Sequence, residues 1–281
     1  MSNIVMLLLP LVVTPILSRL YLPAEFGEWG VFSSFVSIYT LAVFAGYENT
    51  IVKATEKEIP YTSALCIILS LSITVITTVV FYLGNAEGTR FFREFPSSGL
   101  LFFYLTAYSL HTIFSNMCNR YGRYSGIAME SIVLGSSQAG LRILFGLLVL
   151  SNINGLILGT TLAQIVTAVF LFMYLIRIKK CRVLWAFSLQ KMRAIIIKYK
   201  NFALYDAPSS ILCFAGFNVP LLILVTRFNK ATIGSYSIIL QLLLLPMTII
   251  GSAIGRIYYE QLCSDETKDN RLKIQQRTIQ V

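Results

Sequence analysis

The chain of 281 residues is 56% hydrophobic and only 13% charged, with a mean hydropathy of +0.71 and a net charge of +10. A soluble domain carries about 25% charged residues, so this composition excludes an ordinary water-soluble globule. Repeated apolar runs of about 20 residues specify membrane-spanning helices, and they do not alternate as barrel strands would. The basic residues sit in loops between the runs. There they face the cytoplasm and anionic lipid, which accounts for the positive charge without nucleic acid.

The five cysteines, Cys66, Cys118, Cys181, Cys213 and Cys263, have no paired spacing, which argues against a disulfide framework or a metal site. No GxxxxGK[ST] or GxGxxG is present, and no cofactor is expected. The first apolar stretch lacks a basic leader and leads straight into further spans, unlike a cleaved signal peptide.

In chain order, eight spans are expected. Span 1 covers Ile4 to Ser18 and holds Pro10 and Pro15. After the turn RLYLPAEFG, span 2 runs from Trp29 to Val52, with Glu48 near its far end. Span 3 is Tyr61 to Leu83, and span 4 is Gly99 to Met117. On span 4, Tyr108, Thr112, Ser115, Asn116 and Asn119 share a face by helical spacing. His111, the single histidine, lies off that stripe and reads as a packed, hydrogen-bonded side chain. Span 5 (Ser131 to Leu150) and span 6 (Gly155 to Ile176) are separated only by Ser-Asn-Ile-Asn and form an antiparallel pair. Span 7 is Asp206 to Val225, and span 8 is Ser235 to Ile254.

Between spans 6 and 7, the stretch Arg177–Ala203 holds eight basic residues and no acidic one. Its Leu184, Trp185, Phe187, Leu189, Met192 and Ile195 to Ile197 suggest an amphipathic helix on the cytoplasmic leaflet. With the N-terminus inside, seventeen of the 23 basic residues fall in cytoplasmic segments and five outside, as the positive-inside rule requires. The stretch then reads as a cytoplasmic connector between residues 1–176, a six-helix lobe, and residues 204–281, a partial second lobe of two helices with a polar tail.

A weak internal repeat supports that division. Ser18–Trp29 (SRLYLPAEFGEW) and Thr226–Tyr236 (TRFNKATIGSY) align with one gap as hydroxyl–Arg–apolar, a short turn, then apolar–Gly–x–aromatic. The spacing sets span 1 against span 7 in the same orientation, a parallel repeat about an axis along the membrane normal.

Arg142 on span 5 is the sharpest polar residue, since a charge at mid-membrane costs at least about 2.5–3.5 kcal/mol. It shares a small or polar stripe with Ser131, Gly135, Gln138 and Gly146, and Thr160, Gln164 and Thr167 form a matching stripe on span 6. Two readings stay open: an anion-binding group in an aqueous lumen, or a structural arginine that snorkels or pairs with a carboxylate such as Glu130. Gln138, Gln164 and Asn116 are further lumen candidates. Glu48 and Asp206 are candidates for a coupling cation or proton. For Asp206 the competing reading is a helix N-cap ahead of Ala207-Pro208, and for Glu48 a pair with Lys53.

TPILSRLYLPAEFGEWGVFSSFVSI, NRYGRYSGIAMESIVLGSSQAGLRILFGLL with NGLILGTTLAQIV, and KYKNFALYDAPSSILCFAGFNVPLLILVTRF with IGSYSIILQLLLLPMTIIGSAIG resemble, in order, the polysaccharide-biosynthesis flippases. These are Wzx-like O-antigen exporters of the multidrug/oligosaccharidyl-lipid/polysaccharide superfamily. The resemblance implies an all-α, MATE-like fold of two six-helix lobes around a central cavity. It implies movement of an undecaprenyl-pyrophosphate-linked oligosaccharide across the bacterial inner membrane by alternating access, driven by an ion or proton gradient. Arg142 then gains weight as a contact for anionic cargo. Arg120 and Arg123 are candidates for the head group at the cytoplasmic mouth, with positive-inside loop charge as the favoured reading. No enzymatic activity is implied. Against twelve or so spans in such proteins, eight here suggest a truncated remnant or one part of a split transporter. A membrane-embedded polysaccharide polymerase or ligase and a drug exporter are the other readings.

Overall fold

The computed structural model describes residues 2–88, 92, 95, 97–148, 154–178 and 188–244. The chain divides into two units, Met1–Ser237 and Ile238–Val281. Of the second, only the helical residues 238–244 are described.

The described residues form helices and no strand. They are α1 (Ser2–Leu20), α2 (Pro23–Ala42), α3 (Thr50–Lys53), α4 (Ile59–Ala86), α5 (Ser98–Arg120), α6 (Tyr124–Leu147), α7 (Gly155–Arg177), α8 (Leu189–Lys198), α9 (Ala207–Arg227) and α10 (Lys230–Leu244). Four of these match spans read from the sequence almost residue for residue, because each is an apolar run closed by polar turns. The remainder of span 8, beyond Leu244, and the linker residues Leu184, Trp185 and Phe187 lie outside the described residues.

Two spans differ from expectation. Span 2 starts two turns earlier, at Pro23, because Pro is favoured in a first helical turn and Glu25 reaches back to accept from Leu22 N at 2.7 Å. It is also broken. Ala45 and Gly46 adopt positive φ (48° and 79°), and the axis bends by 59° before the short helical turn Tyr47–Asn49 and α3. A Cβ on Gly46 would come within 2.9 Å of the Phe202 carbonyl oxygen, so glycine is required there by both conformation and space. Span 5 also begins earlier, as α6 at Tyr124, which brings Glu130 inside the helix.

Ile59–Ala86, Gly155–Arg177 and Phe202–Arg227 are each long and apolar enough to cross a membrane, and Pro23–Ala42 with Tyr47–Lys53 makes a fourth if the bent pair is one span. Among the described residues that is fewer than eight. The helices α5 and α6 have the length, 23 and 24 residues, but carry His111, Asn116, Glu130, Gln138 and Arg142, and such helices enter a bilayer only as members of a bundle.

In that bundle α7 packs between α5 and α6, α1 lies along α6, α4 along α5, and α9 along α2. Gly159 sets the α6–α7 spacing, since a Cβ there would sit 2.9 Å from the Arg142 nitrogen. The apolar centre runs through Phe32, Phe44, Ile51, Leu101, Leu105, Ile113, Met117, Leu171 and Leu175. Phe35, Phe81 and Phe95 meet edge to face, with centroids 4.6–5.4 Å apart.

The linker helix α8 turns part of its apolar surface into the protein rather than away from it. Met192 and Ile195 are buried, while Leu189, Ile196 and Ile197 are exposed. It is tied to the start of α4 by Lys198 Nζ donating to Glu58 Oε1 at 2.7 Å and Lys191 Nζ donating to Tyr61 Oη at 2.8 Å. The Lys198 ammonium holds the Glu58 carboxyl below the usual range, and Glu58 in turn raises Lys198. The Glu58 contribution is present above the unfolded carboxylate value of about 4.3 and fades as pH falls through its lower folded value. The Lys198 contribution is present below about 10.4 and fades as pH rises through its higher folded value. The tie therefore holds across neutral pH. Glu58→Gln is expected to lower the protection of Leu189–Lys198 amides against hydrogen exchange at pH 7, relative to their intrinsic rates, as acidification through the Glu58 titration does in the unaltered protein. Unchanged exchange in the variant would show that the pair does not hold the helix.

Candidate functional site

A very close backbone approach joins the two halves of the sequence repeat. The corner between α1 and α2 packs on the corner between α9 and α10. A Cβ on Gly27 would overlap the Lys230 carbonyl oxygen, and a Cβ on Gly234 would overlap the Pro23 carbonyl oxygen. Gly27 aligns with Gly234 in the repeat, and Pro23 with Lys230. The contact is thus reciprocal: each glycine receives the first residue of the other's helix. Isologous contacts about a two-fold axis have this form. Gly30 and Ser237, also equivalent, face one another, with a Cβ on Gly30 lying 2.7 Å from Ser237 Cβ. Ser237 Oγ donates to the Phe26 carbonyl at 3.2 Å, and the equivalent apolar residues Phe26 and Ile233 are both buried.

Charge closes the rim of this crossing. Lys230 Nζ and Glu28 Oε1 are 2.7 Å apart, and Asn154 Nδ2 donates to Glu28 Oε2 at 3.2 Å and to the Glu25 carbonyl at 2.7 Å. Asn154 also caps α7, its Oδ1 accepting from Leu156 N at 3.0 Å. One asparagine therefore links the α7 start to the ion pair.

Arg142 stands next to this crossing. It is five residues from the end of α6, about 8 Å along the axis, rather than midway along its span. Its guanidinium lies over the Trp29 ring, 4.9 Å from the centroid. Its Nε and Nη2 donate to Thr160 Oγ1 at 3.1 and 2.9 Å, and its carbonyl accepts from Tyr21 Oη at 2.6 Å. The expected pair with Glu130 does not form, because twelve residues separate them on one helix, about 18 Å. A cation over an aromatic face contributes about 0.5–2 kcal/mol and hydrogen bonds from a charged group about 1.5–3 kcal/mol. Together these offset the cost of placing the charge there without a carboxylate.

The pairing of Arg142 with Thr160 fixes the antiparallel register and sets Gln138 opposite Gln164 one turn further in. Gln138 is half-buried; Gln164 is buried, and its Nε2 has no hydrogen-bond partner among the described residues. Thr106 Oγ1 on α5 is likewise buried and unpartnered. Asn116 is half-buried on α5, nearer the other end.

At that other end, His111 Nε2 meets Glu130 Oε1 at 2.5 Å, and Ser115 Oγ donates to Glu130 Oε2 at 2.9 Å. The sequence does not reveal this pair because Glu130 falls just ahead of the expected start of span 5 at Ser131, whereas α6 begins at Tyr124. The available signal was a lone histidine and a lone carboxylate facing one tight helical reversal. Glu48 lies just past the break in α2, partly buried, with Oε2 buried and unpartnered among the described residues. Its expected partner Lys53 instead sits over the Phe202 ring at 4.6 Å. Asp206 is exposed; it precedes α9 in the N-cap position, but its side chain makes no capping bond. Arg120 ends α5 and the exposed Arg123 begins α6, across a turn in which Gly122 has φ 63°. Among the described residues no group of three His, Cys, Asp or Glu is placed to hold a metal ion.

Buried polar groups inside a bundle of long apolar helices define a polytopic α-helical membrane protein. A family described as polysaccharide biosynthesis protein matches residues 16–281, and the chain belongs to that family. Neither a curated protein nor a solved structure matches it.

The reciprocal crossing can be tested directly. Gly234→Ala places a methyl group against backbone that cannot rotate away, and overpacking of this kind costs about 1–3 kcal/mol. A lower unfolding midpoint in detergent is expected, with Gly216→Ala on α9, where a Cβ meets nothing within 4 Å, as the unaffected control. Equal midpoints for the two variants would show that the helices can part without penalty.

Proposed function

We propose that the protein is a flippase. It moves an undecaprenyl-pyrophosphate-linked oligosaccharide, an O-antigen or capsule repeat unit, from the cytoplasmic to the periplasmic leaflet of the inner membrane by alternating access. Residues 1–176 form one lobe, 177–203 the cytoplasmic linker, and the chain from 204 onward belongs to the second lobe. Membership of a polysaccharide-biosynthesis family supports the substrate class.

The observation that carries the reading is the reciprocal crossing of Gly27 and Gly234 with its Glu28–Lys230 ion pair. Two equivalent corners meet at one end of the bundle, while the linker helix α8 is docked at the opposite end. Parting the crossing opens one side of the membrane. Keeping it closed leaves the other side as the route of entry. In the orientation set by the basic loops, the crossing is on the periplasmic side. Arg142 and its Thr160 and Trp29 partners stand just inside it, Gln138 and Gln164 lie one turn deeper, and Arg120 and Arg123 stand at the cytoplasmic entrance. Arg142 Nη1 is outside the Thr160 bonds, which leaves a donor for a phosphate or acidic sugar. Glu48, beside a helix break with a buried unpaired oxygen, suits the coupling ion better than exposed Asp206.

The test is a reversible lock. Cysteines at positions 28 and 230, in a background without the native cysteines, are joined by a short bifunctional thiol reagent. Blocked export, with lipid-linked oligosaccharide retained in the cytoplasmic leaflet and recovery on cleaving the reagent, is the expected result. Continued export from the cross-linked protein would remove the crossing from the transport cycle. Arg142→Ala is expected to abolish surface polysaccharide in a flippase-deficient strain, and normal polysaccharide would remove Arg142 from the substrate path.

A further inference from the structure

The His111–Glu130–Ser115 cluster has no part in the readings above. Both ionisable side chains are close to fully enclosed, with 12% and 10% of their side-chain surface exposed. They come from the two helices that reverse at Tyr121–Arg123. Ser115 donates to Glu130 Oε2, which leaves Oε1 to accept from His111 Nε2–H. That bond fixes the tautomer, because a carboxylate can only accept. The other ring nitrogen, Nδ1, is buried and has no partner among the described residues. In that tautomer Nδ1 carries a lone pair.

We propose that His111, Glu130 and Ser115 form a proton-binding site within the α5–α6 packing, with His111 Nδ1 as the atom that takes up and releases the proton. A proton from water bonds to the Nδ1 lone pair and converts neutral imidazole beside a carboxylate, net charge −1, into an imidazolium–carboxylate pair, net charge zero. The reverse step returns the proton to water. The Nε2–H···Oε1 bond persists in both states and is stronger when charge-assisted. Protonation therefore tightens the tie between α5 and α6, and deprotonation loosens it.

Few charged groups stand on the elements packed against the site. Against α5 and α6 pack α1, whose only charge is Arg19 at its end, and α4, which carries Tyr61, Tyr82 and the buried Cys66 thiol but no charge. The helix α7 carries Tyr174 and the terminal Arg177. The broken α2–α3 segment carries Glu25, Glu28, Tyr39, Tyr47, Glu48 and Lys53. On α5 and α6 themselves stand Tyr104, Cys118, Arg120, Tyr124, Arg142 and Tyr108, whose ring lies 6.3 Å from the imidazole. Among the described residues His111 and Glu130 are bonded only to each other and to Ser115.

Use of this proton to drive movement of cargo rests on the flippase reading; the site itself does not. The chain has one histidine, so ¹⁵N-histidine labelling of the 281-residue chain in nanodiscs reports on His111 alone. One reversible imidazole transition across about pH 5 to 8, with the Nε2–H tautomer on its alkaline side, is expected. Glu130→Gln should displace that transition by at least about one pH unit, since it removes the facing charge. Glu130→Asp, which keeps the charge, should restore it in part. An imidazole that does not titrate, or one that titrates alike in the unaltered protein and Glu130→Gln, would overturn the site. In proteoliposomes, Glu130→Gln should lose the response of lipid-linked oligosaccharide transport to an imposed pH gradient while retaining gradient-independent exchange. An unchanged response would overturn the coupling while leaving the titration result intact. Absence of any transport by the unaltered protein would overturn the flippase reading and the coupling with it, again without touching the site.

Discussion

Two helices can approach until their backbones touch only where neither carries a side chain, and at Gly27 and Gly234 that condition is met twice in one crossing. Much of the organisation around this end follows from it. The approach brings Lys230 within reach of Glu28 and seats Ser237 over the Phe26 carbonyl. It also holds the α1–α2 corner where Tyr21 can donate to the Arg142 carbonyl and Trp29 can cover the guanidinium. A larger residue at either glycine would separate the helices before these polar contacts could close.

Away from the crossing, the polar side chains form tiers along α5, α6 and α7. Arg142 and Thr160 are followed by Gln138 and Gln164, then by His111, Ser115 and Glu130 nearer the basic end. Each tier is satisfied by a different device: an aromatic face and a hydroxyl, amides partly left without partners, and an acid–base pair. Buried amide and hydroxyl groups without partners are costly in an apolar bundle, at about 1–3 kcal/mol each. Gln164 Nε2 and Thr106 Oγ1 are two such atoms among the described residues.

Much of the helical architecture was legible in the sequence. Apolar runs bounded by Lys53–Pro60, Asn119–Gly126 and Ser151–Asn154 delimit α4, α5 and α7 because hydrophobicity and helix length answer the same bilayer constraint. The break at Ala45–Gly46 was not legible: a lone Gly in an apolar run is compatible with a straight helix, and the Phe202 carbonyl that packs against Gly46 lies far along the chain. The repeat pointed to equivalence between Gly27 and Gly234 but not to contact, because aligning two segments does not say how close they lie to the axis relating them. Arg142 stood out in the sequence as a charge within an apolar run, yet its partners, Trp29 and Thr160, come from other helices at a depth that only packing determines. The His111–Glu130 pair was obscured by a helix boundary two turns in error.

The helix α9 has 21 residues and leaves the crossing packed along α2. At about 1.5 Å per residue its far end stands roughly 30 Å from the glycines. Because the near end is pinned at the crossing, a difference of about 10° in the direction of α9 would place its far end about 5 Å away, by simple leverage on that length. The π-helical turn Phe202–Asp206 stands at that far end, with Phe202 against Gly46. The angle at which two glycines let their helices cross thus decides, about 30 Å away, whether Phe202 meets the bend in span 2.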